Sequence, residues 1–376
     1  MDKNKKTLGT VVVMVLVIVG SWLLLKGGKP APDTSPIRIG VSMPLSGEAA
    51  SYGEAGRAGL ELALKEINDA GGIKGRMVEL VYEDDKCDST GVSVFQKLIS
   101  VDKVTAIIGP VCSAAAGPAI PIARAANIPV LLVGASAPGL TGGDDSIFNS
   151  YPTDTFQGRF SAEYIYNTLG KRKVAVMYVQ NDWGQGLQKV FNERFTELGG
   201  TVVMNEGVAQ DATDVKSVAA KIQAAKPDLI YMPAYPALAA IATQQFRDLG
   251  MTTPVFGGDA LIAKEFLTSP AAEGVMFVTG AVGSPEDFKS KVEALNGRDT
   301  VINIVTPLGY DALKMLTQVI AQKGTDSKDI IAGLKALDYK AGVSFPDISF
   351  DSSGDLKVAT YDVKIVKNAQ AVTVPQ

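Results

Sequence analysis

The sequence predicts an α/β protein built as two doubly wound parallel-sheet lobes joined by a three-crossover hinge. Three observations carry this expectation. Short runs of Val, Ile and Leu alternate with longer stretches whose apolar residues recur at helical spacing, the pattern of parallel strands covered by helices on both faces. The alternation runs through residues 37–133 and starts again after residue 154. A chain of 376 residues also exceeds what one hydrophobic core usually holds.

The elements follow in order. Residues 37–43 read as a strand, and 52–68 as a helix in which Ala55, Leu60, Ala63, Leu64 and Ile67 share a face. Strand 78–82, helix 91–100, strand 105–108, helix 114–126 and strand 129–133 come next. The second run is helix 157–169, strand 173–178, helix 186–198, strand 201–205, helix 215–225, strand 229–232, helix 237–249 and strand 254–257. A strand at 275–279 precedes helices at 288–295, 309–322 and 330–337. The chain closes with strand 348–351, the turn Ser352-Ser353-Gly354-Asp355 and strand 358–367. If helices 309–337 return to the first lobe and the last strands to the second, the chain crosses three times, near 151–154, 280–283 and 343–348. Short crossings of this kind make a hinge. The expected division is 37–152 with 283–344 as lobe I, and 153–282 with 345–376 as lobe II.

Composition narrows the function. There is no histidine and no metal-ligand cluster, so hydrolytic triads and zinc sites lack support; neither a metal nor a cofactor is expected. A formal net charge of −4, with no basic patch, argues against nucleic acid. Lys3, Lys5 and Lys6 precede the uncharged apolar run 8–25, and a Gly/Pro-rich linker follows at 26–36. That is the pattern of a signal or membrane anchor on a flexible tether. It puts the folded part outside the cytoplasm, in the periplasm or at the cell surface. The two cysteines, Cys87 and Cys112, each lie just past a strand end, on the sheet edge where open α/β proteins bind ligands. They read either as a disulfide, which an oxidising compartment permits, or as two small buried thiols.

Several strings together resemble the branched-chain amino-acid-binding proteins, the type I periplasmic solute receptors of ABC importers. They are Ile39-Gly40-Val41-Ser42-Met43-Pro44-Leu45-Ser46-Gly47, Tyr52-Gly53, the stretch from Glu66 to Gly75, and Asp84-Asp85-Lys86-Cys87-Asp88. Gly109-Pro110-Val111-Cys112-Ser113, Ala135-Ser136-Ala137-Pro138 and Phe350-Asp351-Ser352-Ser353-Gly354-Asp355 complete the set. None is diagnostic alone; the order and spacing carry the likeness, over residues 37 to about 366. The resemblance implies a monomeric receptor that captures a small amino acid by cleft closure and delivers it to an ABC permease. It also implies that Cys87 and Cys112 are bridged.

A free amino acid needs donors for its carboxylate and an acceptor for its ammonium. Ser113 opens helix 114–126, where a hydroxyl and helix N–H groups can meet a carboxylate; as the plainest alternative it is only an N-cap. Ser136 is similarly placed after strand 129–133, and the Gly134 carbonyl can accept from the ammonium, although Ala-Ser-Ala-Pro could be a simple tight turn. Asp259 follows strand 254–257 with no basic neighbour and is the candidate ammonium partner. The family usually carries a carboxylate there, often one methylene longer. Tyr52 and Tyr235 match aromatic ligand contacts, and Trp183 stands where tyrosine is usual.

Two other classes were weighed against this. Val133–Gly139 is a faint glycine-rich loop and Tyr310-x-x-x-Lys314 a dehydrogenase-like pair, but Pro138 and the missing Gly-x-Gly spoil the phosphate turn, so the chain is not read as an enzyme. The remaining alternative is a ligand-sensing receptor for amides or urea-like solutes that docks to a membrane signalling partner.

Overall fold

The structure is a computed structural model and describes residues 34–375 apart from 48 and 143–145. The anchor or signal expected at 1–25, and nearly all of the linker at 26–36, lie outside the described residues. Among the described residues no helix is long and apolar enough to cross a membrane.

The chain enters through β1 (Ile37–Met43), α1 (Ala50–Asp69), β2 (Val78–Asp84), α2 (Gly91–Ser100), β3 (Ala106–Ile108), α3 (Ser113–Ala126), β4 (Val130–Leu132) and β5 (Ile147–Asn149). Ile39, Val41, Met43, Ile107 and Ile108 are wholly buried, as central parallel strands covered on both faces require. The five strands form one parallel sheet in the order β2-β1-β3-β4-β5. At three residues, β5 was too short to leave a periodic signal in the sequence.

The second run is α4 (Asp154–Glu163), β6 (Lys173–Val179), α5 (Asp182–Glu197), β7 (Thr201–Val208), α6 (Lys216–Ala225), β8 (Leu229–Met232), α7 (Pro236–Asp248), β9 (Val255–Gly257), α8 (Lys264–Leu267) and β10 (Met276–Gly280). A 3-10 turn, Asp259–Ile262, lies between β9 and α8. The chain then passes through α9 (Glu286–Asn296), α10 (Val305–Lys323), α11 (Ser327–Lys335), the small ladder of β11 (Asp338–Tyr339) and β12 (Ile348–Ser349), and the hairpin of β13 (Tyr361–Lys367) and β14 (Gln370–Thr373). The second sheet is ordered β14-β13-β10-β9-β8-β6-β7. Its parallel part, from β7 to β10, repeats the order of the first sheet. Sequence reading missed β14 because its turn uses Asn368 and Ala369 in the left-handed region, at φ 50° and 59°, and alanine gives no turn signal there.

The helices at 305–335 do pack on the first sheet's side, with α10 lying along α1. The segment expected in lobe II from residue 345, however, belongs partly to the first core. Ile348, Phe350 and Leu356 are buried there, and Phe350 meets Phe148 edge-on at 5.3 Å. Apolar burial thus ties the stretch 348–356 to the first core. Two tyrosine hydroxyls lace the crossings together. Tyr151 Oη accepts from Gly280 N–H at 3.1 Å, and Tyr361 Oη donates to the Thr153 carbonyl at 3.0 Å.

Candidate functional site

Strand order reverses between β1 and β3 in the first sheet and between β6 and β8 in the second, the points where open α/β sheets bind ligands. Tyr52 follows β1, Ser113 follows β3, and Gly134 and Ser136 follow β4. Trp183 follows β6, Tyr235 follows β8, and Asp259 follows β9. The two halves therefore offer residues from equivalent places. All seven line one cavity, together with Val111, Cys112, Tyr151, Ala260, Ile304 and Val305.

The equivalence extends to local packing. Tyr52-Gly53 and Trp183-Gly184 each lie in the first turn of a helix. A Cβ on Gly53 would sit 1.9 Å from the Pro44 carbonyl oxygen, and one on Gly184 would sit 2.0 Å from that of Val179. Only glycine lets each helix start this close to the strand end, and this approach aims the preceding aromatic at the cavity. Sequence reading began the second of these helices at 186; it starts at Asp182 because Asn181 Oδ1 caps it, accepting from Gly184 N–H at 3.0 Å.

Ser113 Oγ accepts from the backbone N–H groups of both Ser136 and Ala137, each at 3.1 Å. With its lone pairs engaged, its remaining capacity is to donate, and it lies at the N-terminus of α3, where the helix dipole favours an anion. On the opposite wall, Asp259 is 6 % exposed, and among the described residues no Lys or Arg lines the cavity. Burial pushes its carboxyl up to about 6, against the opposing hydrogen bonds of Tyr151 and Gln157. Trp183 stacks on Tyr235 with ring centres 5.0 Å apart and planes 5° from parallel. Tyr52 closes the space from the first half, its hydroxyl donating to the Ala260 carbonyl at 2.5 Å. Donors on one side, an acid on the other and an aromatic–aliphatic wall between them match the two ends of a zwitterion.

A family model described as "Periplasmic binding protein" matches residues 36–370. The chain belongs to the periplasmic binding protein family. A curated relative, Leu/Ile/Val-binding protein homolog 1 of Brucella abortus, is 29 % identical over 367 residues, covering 95 % of each chain. Among solved structures, the leucine binding protein LivK of Thermotoga maritima superposes with a TM-score of 0.83 at 28 % identity, covering 90 % of this chain and 98 % of its own. The LivJ substrate binding protein of Streptococcus pneumoniae, in complex with isoleucine, has a TM-score of 0.80 at 28 % identity, covering 90 % and 99 %.

In this periplasmic binding protein Cys87 and Cys112 form a disulfide. It ties the loop after β2 to the residue that caps α3, directly before Ser113. Tyr310 and Lys314, the pair with dehydrogenase-like spacing, lie on α10 away from the cavity lining. Both side chains are engaged with Glu66 of α1, Tyr310 donating at 2.6 Å and Lys314 at 3.1 Å. Three residues of the site went unread in the sequence: Tyr151, Asp154 and Gln157. The only signal they offered was polarity at the start of a helix, and such residues are usually exposed; here Asp154 and Gln157 are wholly buried.

Proposed function

We propose that this periplasmic binding protein captures a branched-chain amino acid outside the cytoplasm by cleft closure and presents it to an ABC permease. The carrying observation is the charge layout of the cavity. Ser113, spent as an acceptor, and the α3 N-terminus suit a carboxylate, while Asp259 is an acid without a cation. Ser136 borders the carboxylate end, the Gly134 carbonyl can accept from the ammonium, and Tyr52, Trp183, Tyr235, Val111, Ile304 and Val305 leave an apolar space for a side chain. The Leu/Ile/Val-binding names of its relatives support the same reading.

Closure means that ligand contacts from both halves favour the closed form, by no more than the ligand's differential affinity for it. We take 37–152 with 283–356 as one moving lobe, and the second sheet with its helices as the other. Export and tethering would come from the N-terminal segment.

Thermal-shift screening of the full chain against the twenty amino acids, small amides, urea and benzoate tests the ligand class. Leucine, isoleucine or valine should raise the melting temperature, and benzoate, which lacks an ammonium, should not. A response to amides or urea alone would support the sensing alternative instead. Small-angle scattering should show a smaller radius of gyration at saturating leucine. Trp183 fluorescence should change as well, since the indole lines the cavity and is 3 % exposed. An unchanged scattering profile with bound leucine would rule out delivery by closure.

A further inference from the structure

Behind Asp259 stands a second buried acid that ligand contact does not explain. Asp154, the first residue of α4, is 0 % exposed. Its Oδ1 accepts from Gln157 Nε2 at 2.7 Å, while its Oδ2 is buried without a hydrogen-bond partner. Gln157 turns its other end to the ammonium site, with Oε1 accepting from Asp259 N–H at 2.8 Å. Asp154 N–H donates to the Ser136 carbonyl at 2.8 Å. One helix turn thus joins the carboxylate end of the cavity to the acid end.

We propose that Asp154 is a positioning residue for Asp259, held to its main chain through Gln157, that the two enclosed carboxyls hold one proton between them in the ligand-free protein, and that an ammonium-bearing ligand displaces this proton. In the exchange one carboxyl O–H breaks and its proton goes to solvent. The ligand's ammonium keeps its own protons and takes over the neutralising charge. This inference rests on the zwitterion reading of the cavity.

The environment explains why a proton is held there. Two carboxylates enclosed together without a cation cannot both ionise cheaply. The titratable groups facing the pair are all neutral or acidic: Tyr52, Tyr151, Tyr231, Tyr235 and Tyr361, with Glu265 acting on Tyr52. Burial raises both acids, and the charge of Asp259 raises Asp154 further, well above the ordinary carboxyl range. The hydrogen bond from Gln157 opposes that rise without cancelling it.

Asp154→Asn keeps the shape and the acceptor for Gln157 while removing the second acid. The first measurement is titration calorimetry of the full chain with L-leucine at pH 6–7, in buffers of different ionisation enthalpy. Wild type should release close to one proton per leucine, with affinity rising about tenfold per pH unit through this range. Asp154→Asn should release little or none and show a flatter profile. No proton release from wild type, or equal release from the variant, would overturn the proposal.

The second measurement needs no ligand. Acids raised by burial contribute stability below their unfolded pKa that is lost as pH rises through the folded value. Ligand-free wild type should therefore lose melting temperature between pH 4.5 and 8, and Asp154→Asn should lose less. Parallel curves would overturn the proposal. Asp259→Asn serves in the same comparison if Asp154→Asn fails to fold. Failure of leucine to bind wild type would count against the functional reading alone, because the melting curves still decide whether the pair shares a proton.

Discussion

Asp259→Ala is expected to lower the affinity of the full chain for leucine by about 30-fold or more, a loss of about 2–5 kcal/mol, because a buried ammonium is left without its charge partner. Titration calorimetry at pH 7.5 reads it directly. The same change should stabilise the ligand-free protein. The carboxyl of Asp259 is raised to about 6 by burial, so its contribution favours folding only at low pH and is lost as pH rises through about 6. Above that pH the acid is held against its preference, and alanine relieves the cost. Weaker binding with a higher ligand-free melting temperature is the signature of a residue kept for its ligand. Affinity close to wild type would mean that the ammonium is held elsewhere or that the ligand has none.

Replacing both Cys87 and Cys112 with serine is expected to cost about 3–4 kcal/mol of folding stability, from the loop closed by a bridge of sequence separation 25. Denaturant melts of variant and wild type measure this. Leucine affinity should fall too, because the bridge anchors the residue that caps α3 beside Ser113. Native protein purified from an oxidising compartment should show no free thiol by titration. Two titratable thiols, or a variant as stable as wild type, would count against a structural role for the bridge.

Much of this fold was legible because parallel strands announce themselves as continuous apolar runs. The stretch 91–100 was read to the residue as a helix and 37–43 as a strand. Pieces whose cause lies in tertiary contact were not. The strand at 147–149 is three residues long, and Phe350 packs on Phe148, a partner about two hundred positions away in sequence. The seven candidate residues could be chosen because the family resemblance pointed to them and each follows a strand end, and the shared sheet order brings such ends to one place. Asp154 could not be chosen that way. Its meaning comes from Gln157 and Asp259, and an acid opening a helix is ordinarily a solvated cap.

The matched sheet orders carry a further consequence. Ser113 and Ser136 belong to the first half and Asp259 to the second, so on the proposed reading the ligand's two charges are held from opposite halves. The closed cleft would then act as a ruler for the distance between those charges. An α-amino acid is expected to let the halves meet at the Tyr52–Ala260 bond. Insertion of methylenes between carboxylate and ammonium would prop the halves apart before that bond forms, so a β- or γ-amino acid of equal charge could occupy the cavity and still fail to shut it.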